Sequence, residues 1–458
     1  MERRQVKKII NRIRSFFSQG NERSLRAKKN IVVSFILKGL SIAVSLMLVP
    51  LTLNYLDKTH YGIWLTLTSI LGWMYFFDIG LGNGLRNKFA EAKAYGNVMQ
   101  GRMYVSTTFA LLTLISVGLL LLFMIINPFL NWTKILNTDA SLAQELSKTV
   151  FITFTFFCLQ FVFRLVGTIL LADQKPAMND FLNLCSNILS LGIIFVLTKI
   201  TVGSLLGVSF VFSLTPVLVF MIAAFVMFNK KYKEYTPAIK FVNFHQINDL
   251  MGLGVKFFII QIAGLVLFTT TNIIISQLFG PAEVTPYNIA FKYFSVMTMA
   301  FNIILSPFWT AFTDAYHKKE IIWIKQTTKK LVAIWGVSCL VLVVMVMAAN
   351  WIYHLWIGTK ISVHVSLSIM IAIFIAIYNW NNIFAFFING VGKIKLQLYY
   401  AVFVGFINLP LSIILAKLLN GVEGIVLSTC LCLLIGSILQ PIQYLKIING
   451  TAKGIWNK

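Results

Sequence analysis

Charged residues are scarce in this sequence. They make up 12% of its 458 residues, against 58% hydrophobic ones, and the mean hydropathy is +0.81. A soluble domain carries about a quarter charged residues. This chain lacks the polar surface to cover itself in water, so the bilayer is its solvent. Metal-ligating residues are few and badly placed. Cys158, Cys185, Cys339, Cys430 and Cys432 all fall within apolar runs without metal-ligand spacing, and the five histidines form no constellation. Thiols in such surroundings behave as small hydrophobes, and no metal site or cofactor is expected. The N-terminus, "MERRQVKKIINRIRSFF", lacks an uninterrupted apolar core of signal-peptide length. It reads as an amphipathic helix, with Ile9, Ile10, Ile13, Phe16 and Phe17 toward lipid and its basic residues toward anionic headgroups. No cleavable targeting segment is expected.

What the chain does have is long apolar runs. Windows of about 20 residues, the length that crosses a bilayer, predict about twelve spans. Their approximate limits are 31–55, 61–79, 104–126, 149–171, 181–199, 205–228, 257–279, 285–309, 331–349, 365–388, 396–416 and 424–444. The net charge of +24 would point to nucleic acid in a soluble protein, but here its distribution matters more. Of 39 Lys and Arg, 30 fall on one side of these spans, with both termini, and 6 fall on the other. The positive-inside rule makes the richer side cytoplasmic. The loops on the other side are short, the longest covering 127–148, which leaves no outer domain to hold an active site.

The chain also repeats itself. "DKTHYGI" (57–63) and "EVTPYNI" (283–289) share acidic-x-Thr-x-Tyr-x-Ile at the start of spans two and eight, an offset that carries span one onto span seven without a gap. "LLADQKPAMN" (170–179) and "INGVGKIKLQ" (388–397) both close a span with a short turn and a lysine. Six spans separate the copies, so they share one orientation, as in parallel transporter repeats. The expected organisation is a basic amphipathic segment (1–30), a first lobe of six spans (31–228), a linker (229–256), a second lobe of six spans (257–444) and a basic tail (445–458). The expected fold class is an all-α polytopic membrane protein of two six-helix lobes. Because two such lobes can enclose a complete pathway, a monomer is the default unit.

The segment "DIGLGNGLRNKFAEAKAYGN" (78–97) stands out as the most loop-like. Its glycines do not fit a dinucleotide fingerprint, because the third comes one residue early, the preceding residues belong to a span and no acid follows at the usual distance. It reads as a hinge and cap at the cytoplasmic end of span two. Gly80, Gly82 and Gly84 permit positive φ and close helix approach. Asn83 is the expected cap of a short amphipathic helix that Gly96-Asn97 ends, with Lys88 and Glu91 paired along it. Asp78, Arg86 and Lys88 would lie at the inner mouth of a cavity. Phe77-Asp78-Ile79-Gly80-Leu81-Gly82-Asn83-Gly84-Leu85-Arg86-Asn87 resembles a segment of the Wzx-type polysaccharide flippases of the MOP exporter superfamily, whose organisation also matches over most of the chain. The resemblance implies a MATE-like fold in the bacterial inner membrane. It further implies translocation of a polyprenyl-diphosphate-linked oligosaccharide between leaflets, in the company of polysaccharide-assembly proteins and with no nucleic acid.

Three cations fall inside spans: Lys38, Arg164 and Lys292. Each costs about 2.5–3.5 kcal/mol at mid-span, which favours a wet or polar setting. Polar residues recur on their helices and on others: Ser41 and Ser45 in span one, Gln160 in span four, Gln261 and Asn272 in span seven, Asn302 in span eight, Asn379 and Asn382 in span ten. The plainer alternative is that small polar residues pack helices together and the lysines snorkel. With no acid within the spans and Asp78 only at an edge, the reading assigns the missing negative charge to the substrate. A diphosphate would supply it, and Arg can hold it bidentately. The lack of an embedded carboxylate leaves coupling to protons or sodium open. A MATE-like small-molecule exporter and a membrane-embedded glycan polymerase or ligase are the alternatives. The first would want buried carboxylates for cationic drugs, and the second would want an outer-face constellation that the short loops do not offer.

Overall fold

The structure, a computed structural model, describes residues 22–78, 80–247, 249, 269–359 and 361–457. The basic segment over residues 1–21 and Gln261 lie outside the described residues. In the first half, α1 (Glu22–Tyr55) is followed by α2 (Lys58–Gly72), which tightens into a 3₁₀ turn at Trp73–Asp78. A short helix α3 (Leu81–Ala94) precedes α4 (Val98–Ile126). After a connection containing α5 (Trp132–Leu136), α6 (Ala143–Phe163) breaks at Arg164 and resumes as α7 (Leu165–Ala172). The half ends with α8 (Pro176–Ile200) and α9 (Leu205–Asn229). The second half comprises α10, described over 269–279, then α11 (Pro281–His317), α12 (Ile321–Ile357), α13 (Val365–Val391), α14 (Lys395–Leu419) and α15 (Glu423–Ile448). No strand occurs among the described residues.

Among the described residues, ten helical stretches are long and apolar enough to cross a membrane. Helices suit that task because each satisfies its own backbone hydrogen bonds where water cannot. The expected second span and the described part of the seventh, α2 and α10, fall outside that set of ten. Several helices outrun the apolar windows. Residues 331–349, for example, form the middle of a helix that spans Ile321–Ile357, because amphipathic turns continue it beyond the greasy core.

The packed core is divided unevenly from one end of the helices to the other. At one end a single apolar cluster joins both halves: Ile63, Leu67 and Leu71 of α2 belong with Ile275 of α10, Val284, Ile289 and Phe294 of α11, and Ile371 of α13. At the other end there are two clusters. One holds only first-half residues, among them Leu85, Phe89, Val166 and Tyr235. The other holds only second-half residues, among them Phe312, Ile324, Phe387 and Tyr444. Among the described residues, the halves are therefore joined at the end carrying residues 56–60 and separately packed at the end carrying residues 78–100. We call these the closed and open ends.

Candidate functional site

The closed end is a seam between the two repeat-related segments. Asp57 caps α2, its carboxylate accepting from the N–H groups of Thr59 (2.7 Å) and His60 (2.8 Å) and meeting the His60 ring at 2.5 Å. Burial works to raise the Asp57 carboxyl, but these hydrogen bonds outweigh it and hold it below the ordinary range. Opposite, Pro281 and Glu283 open α11. Lys58 pairs with Glu283 at 2.8 Å, and the Thr285 hydroxyl donates to the Lys58 carbonyl at 2.7 Å. The helices touch so closely that a Cβ on Gly62 would stand 1.8 Å from the Pro281 carbonyl oxygen. Deeper along the seam the Asn272 amide donates to Ser69 (2.9 Å) and accepts from Asn288 (2.9 Å).

Two further contacts fasten this end. Asn137, in the left-handed region at φ 53°, donates to the Ser276 carbonyl at 2.8 Å. Ser276 and Gln277 return hydrogen bonds to the carbonyls of Leu136 (2.8 Å) and Ile135 (2.6 Å). The end of α10 is thus capped from the first half. Trp356 of α12 donates its indole N–H to the Leu46 carbonyl at 2.9 Å. The 127–148 connection, expected as a mere short outer loop, is part of the closure.

At the open end the 78–97 segment is a structural cap, built differently from expectation. Gly80 alone of the three glycines takes a positive φ, 81°, at the start of α3. Gly82 and Gly84 lie inside the helix, and Asn83 is an exposed helical residue rather than its cap. Asp78 does that work: its carboxylate accepts the Gly82 N–H at 2.9 Å. Gly96, at φ 68°, ends the helix, and Asn97 caps α4 through the Gln100 N–H. Lys88 and Glu91 pair at 3.1 Å, which raises the Lys88 ammonium above its usual range, while Arg86 is exposed.

The predicted cations stand on separate elements. Lys38 is an exposed residue of α1. Arg164 occupies the break between α6 and α7, and its charge acts on Asp78. Asp78, the acid expected at the span edge, ends the 3₁₀ turn after α2, close enough for the Arg164 charge to favour its ionised form. Lys292, on α11, is half-buried, and its ammonium has no hydrogen-bond or ion-pair partner among the described residues. Of the polar residues, Ser41 receives a hydrogen bond from Asn187 of α8 (3.0 Å). Ser45 and Gln160 are half-buried. Asn382 donates to Asn302 at 3.4 Å between α13 and α11. Asn379 is fully buried with neither amide atom partnered among the described residues.

Sequence reading missed a polar knot at the open end. Asp173, in the turn before α8, accepts from Lys93 of α3, from Lys175, and from the Tyr232 hydroxyl at 2.5 Å, while Lys175 donates to Tyr232 at 2.7 Å. Burial works to raise the Asp173 carboxyl, but the lysines and the tyrosine outweigh it and hold it below the ordinary carboxylate range. The chain beyond α9 continues from this knot along α3 and α4. There Tyr235 packs edge-on against Phe89 (4.9 Å), Arg102 donates to the Thr236 carbonyl (2.9 Å) and Thr107 accepts from the Asn243 N–H (3.0 Å).

The comparisons fit this architecture. No family model matches the chain. A Yersinia pseudotuberculosis protein provisionally named an O-antigen export protein is 20% identical over 380 residues, covering 81% of this chain and 85% of its own. A Salmonella typhimurium protein provisionally named an O-antigen transporter is 22% identical over 379 residues, covering 79% and 83%. Among solved structures, an inward-facing MATE-family multidrug transporter of the MOP superfamily superposes with TM-score 0.73 at 12% identity, over 92% of this chain and 100% of that one. An outward-facing structure of that kind gives 0.61 at 14% identity, over 93% and 97%. A MOP-superfamily transporter from Pyrococcus furiosus, described as having a binding pocket of reversed polarity, gives 0.66 at 13%, over 96% and 98%. The fold is that of the MATE transporters. Fold and relatives together make the chain a multi-pass membrane transporter rather than an enzyme.

Proposed function

We propose that this transporter flips a polyprenyl-diphosphate-linked oligosaccharide from the inner to the outer leaflet of a bacterial inner membrane, by alternating access between two lobes (31–228 and 257–444). The observation that carries the reading is the asymmetric core: among the described residues, one apolar cluster joins the halves at the closed end, and separate ones pack the two halves at the open end. The open end is the cytoplasmic one, as the crowding of Lys and Arg on the side holding the termini argues. The higher similarity to an inward-facing than to an outward-facing MATE structure supports the same orientation. In this state the open end admits a diphosphate headgroup and its sugars while the polyprenyl tail stays in lipid. Lys292, with no anionic partner among the described residues, binds the diphosphate, and Arg164, poised by Asp78, assists it. The names of the relatives favour this cargo over a cationic drug.

The test is made in the native host. Deleting the gene should abolish surface glycan and make lipid-linked repeat units accumulate on the inner leaflet. Unchanged glycan without accumulation, in a strain also lacking any paralogue, would rule the reading out in favour of small-molecule export, which drug efflux by reconstituted protein would then display.

A further inference from the structure

Beside the seam, the second half holds a small pocket of about 60 Å³ between α10, α11, α13 and α15, open on one side. Thr271, Asn272, Asn288 and Thr429 supply its polar lining, and Tyr287, Phe291 and Phe374 supply aromatic faces; no charged side chain lines it among the described residues. The rings form a row: Tyr287 stacks on Phe291 at 5.9 Å, and Phe291 meets Phe374 at 6.0 Å. The amides have unused capacity. Asn272 spends one N–H on Ser69 and its oxygen on Asn288, while Asn288 spends its NH₂ group on Asn272 and the Val284 carbonyl. That leaves the second Asn272 N–H and the Asn288 oxygen without a protein partner among the described residues, since a side-chain amide carries two donors and an acceptor with two lone pairs.

We infer that this cavity is a binding subsite for an uncharged sugar ring of the cargo. A lining without charge excludes a phosphate as its ligand, because a phosphate would find no countercharge there. A hydroxyl both donates and accepts, and two neighbouring hydroxyls match a free amide donor set beside a free amide acceptor. The C–H face of the ring matches an aromatic wall, which offers flat apolar area at low entropic cost. The position adds a consequence. The Asn272 amide that faces the sugar also holds Ser69 across the seam, so occupancy of the cavity and closure of that end share one side chain.

The inference rests on the flippase reading but is tested apart from it. Saturation-transfer NMR on the full-length purified protein, with free N-acetylglucosamine, galactose and rhamnose as probes, should show transfer to at least one sugar. Asn288→Leu and Phe291→Leu should each cut that transfer to below a tenth. If Asn288→Leu does not fold, Phe291→Leu, which keeps apolar volume but loses the flat face, carries the test. In the same samples, phosphorus line broadening of inorganic pyrophosphate should be unchanged, because the diphosphate binds elsewhere. No transfer to any of the three sugars, or transfer undiminished in the folded variants, would overturn the inference. The gene deletion reports separately on the flippase reading: normal glycan there sinks that reading alone, whereas glycan loss with no sugar transfer sinks only the subsite.

Discussion

Individual charges in this molecule are interpretable only through their partners. Arg164 stands at a helix break and its charge acts on Asp78, which ends a 3₁₀ turn and also caps α3. The two should act as one unit. Arg164→Ala is expected to abolish surface glycan while leaving the protein inserted, Asp78→Asn to impair export as well, and the double variant to be no worse than Arg164→Ala. Additive losses in a glycan assay would show two independent roles. Asp173 is a structural counterpart. Asp173→Asn strands Lys93 and Lys175 and should cost about 1–3 kcal/mol of stability at neutral pH. Its folded-state pKa is depressed, so the contribution is present above the unfolded value near 4 and lost as pH falls through the lower folded one. Thermal unfolding in detergent should therefore separate wild type from Asp173→Asn at pH 7 and bring them together only in strong acid. A gap already closing between pH 7 and 5 would contradict the assignment.

At the scale of elements, α2 and α11 are the pair that sets the seam, and Gly62 is its tightest point. Gly62→Ala places a methyl group against the Pro281 carbonyl, and overpacking of this kind costs about 1–3 kcal/mol. The expected result is a population shifted toward an opened closed end, read as increased thiol labelling of a Ser69→Cys reporter. Unchanged labelling would mean that the helices yield without parting. The same pair shows what the sequence could convey. The matching heptapeptides at 57–63 and 283–289 announced two related helix starts, yet nothing in them said that the starts touch. Long apolar runs made the spans legible, because lipid imposes both length and composition on them. The cap of α3 was misplaced by three to five residues because three glycines and an asparagine offer similar local chemistry, and only the position of Asp78 in space selects Gly80. Lys93, Asp173 and Tyr232 were invisible as a group, since the contacts joining them span 80 and 59 residues of chain. Of the intended site, Gln261 lies outside the described residues, and Ser41 receives a hydrogen bond from Asn187.

For the whole molecule the question is which contacts must break for the open end to close and the closed end to open. Alternating access requires the two ends to exchange states, and a difference in free energy of a few kcal/mol is enough to populate one of them. The Lys58–Glu283 pair is half-exposed, and such pairs contribute about 0–1 kcal/mol. Removing it should hardly alter the balance, whereas bridging it covalently should block one state altogether. In a background with the five native cysteines replaced, Lys58→Cys and Glu283→Cys, singly and together, are expected to export glycan normally. A short bifunctional thiol reagent applied to the double variant should stop export, and a cleavable form of the reagent should restore it on reduction. The same variants fix the orientation. A membrane-impermeant thiol reagent should reach Lys58→Cys in intact cells and Lys88→Cys only after permeabilisation. Full bridging with export intact would mean that the seam is a static brace and that cargo crosses without its parting, which would overturn alternating access between the two ends.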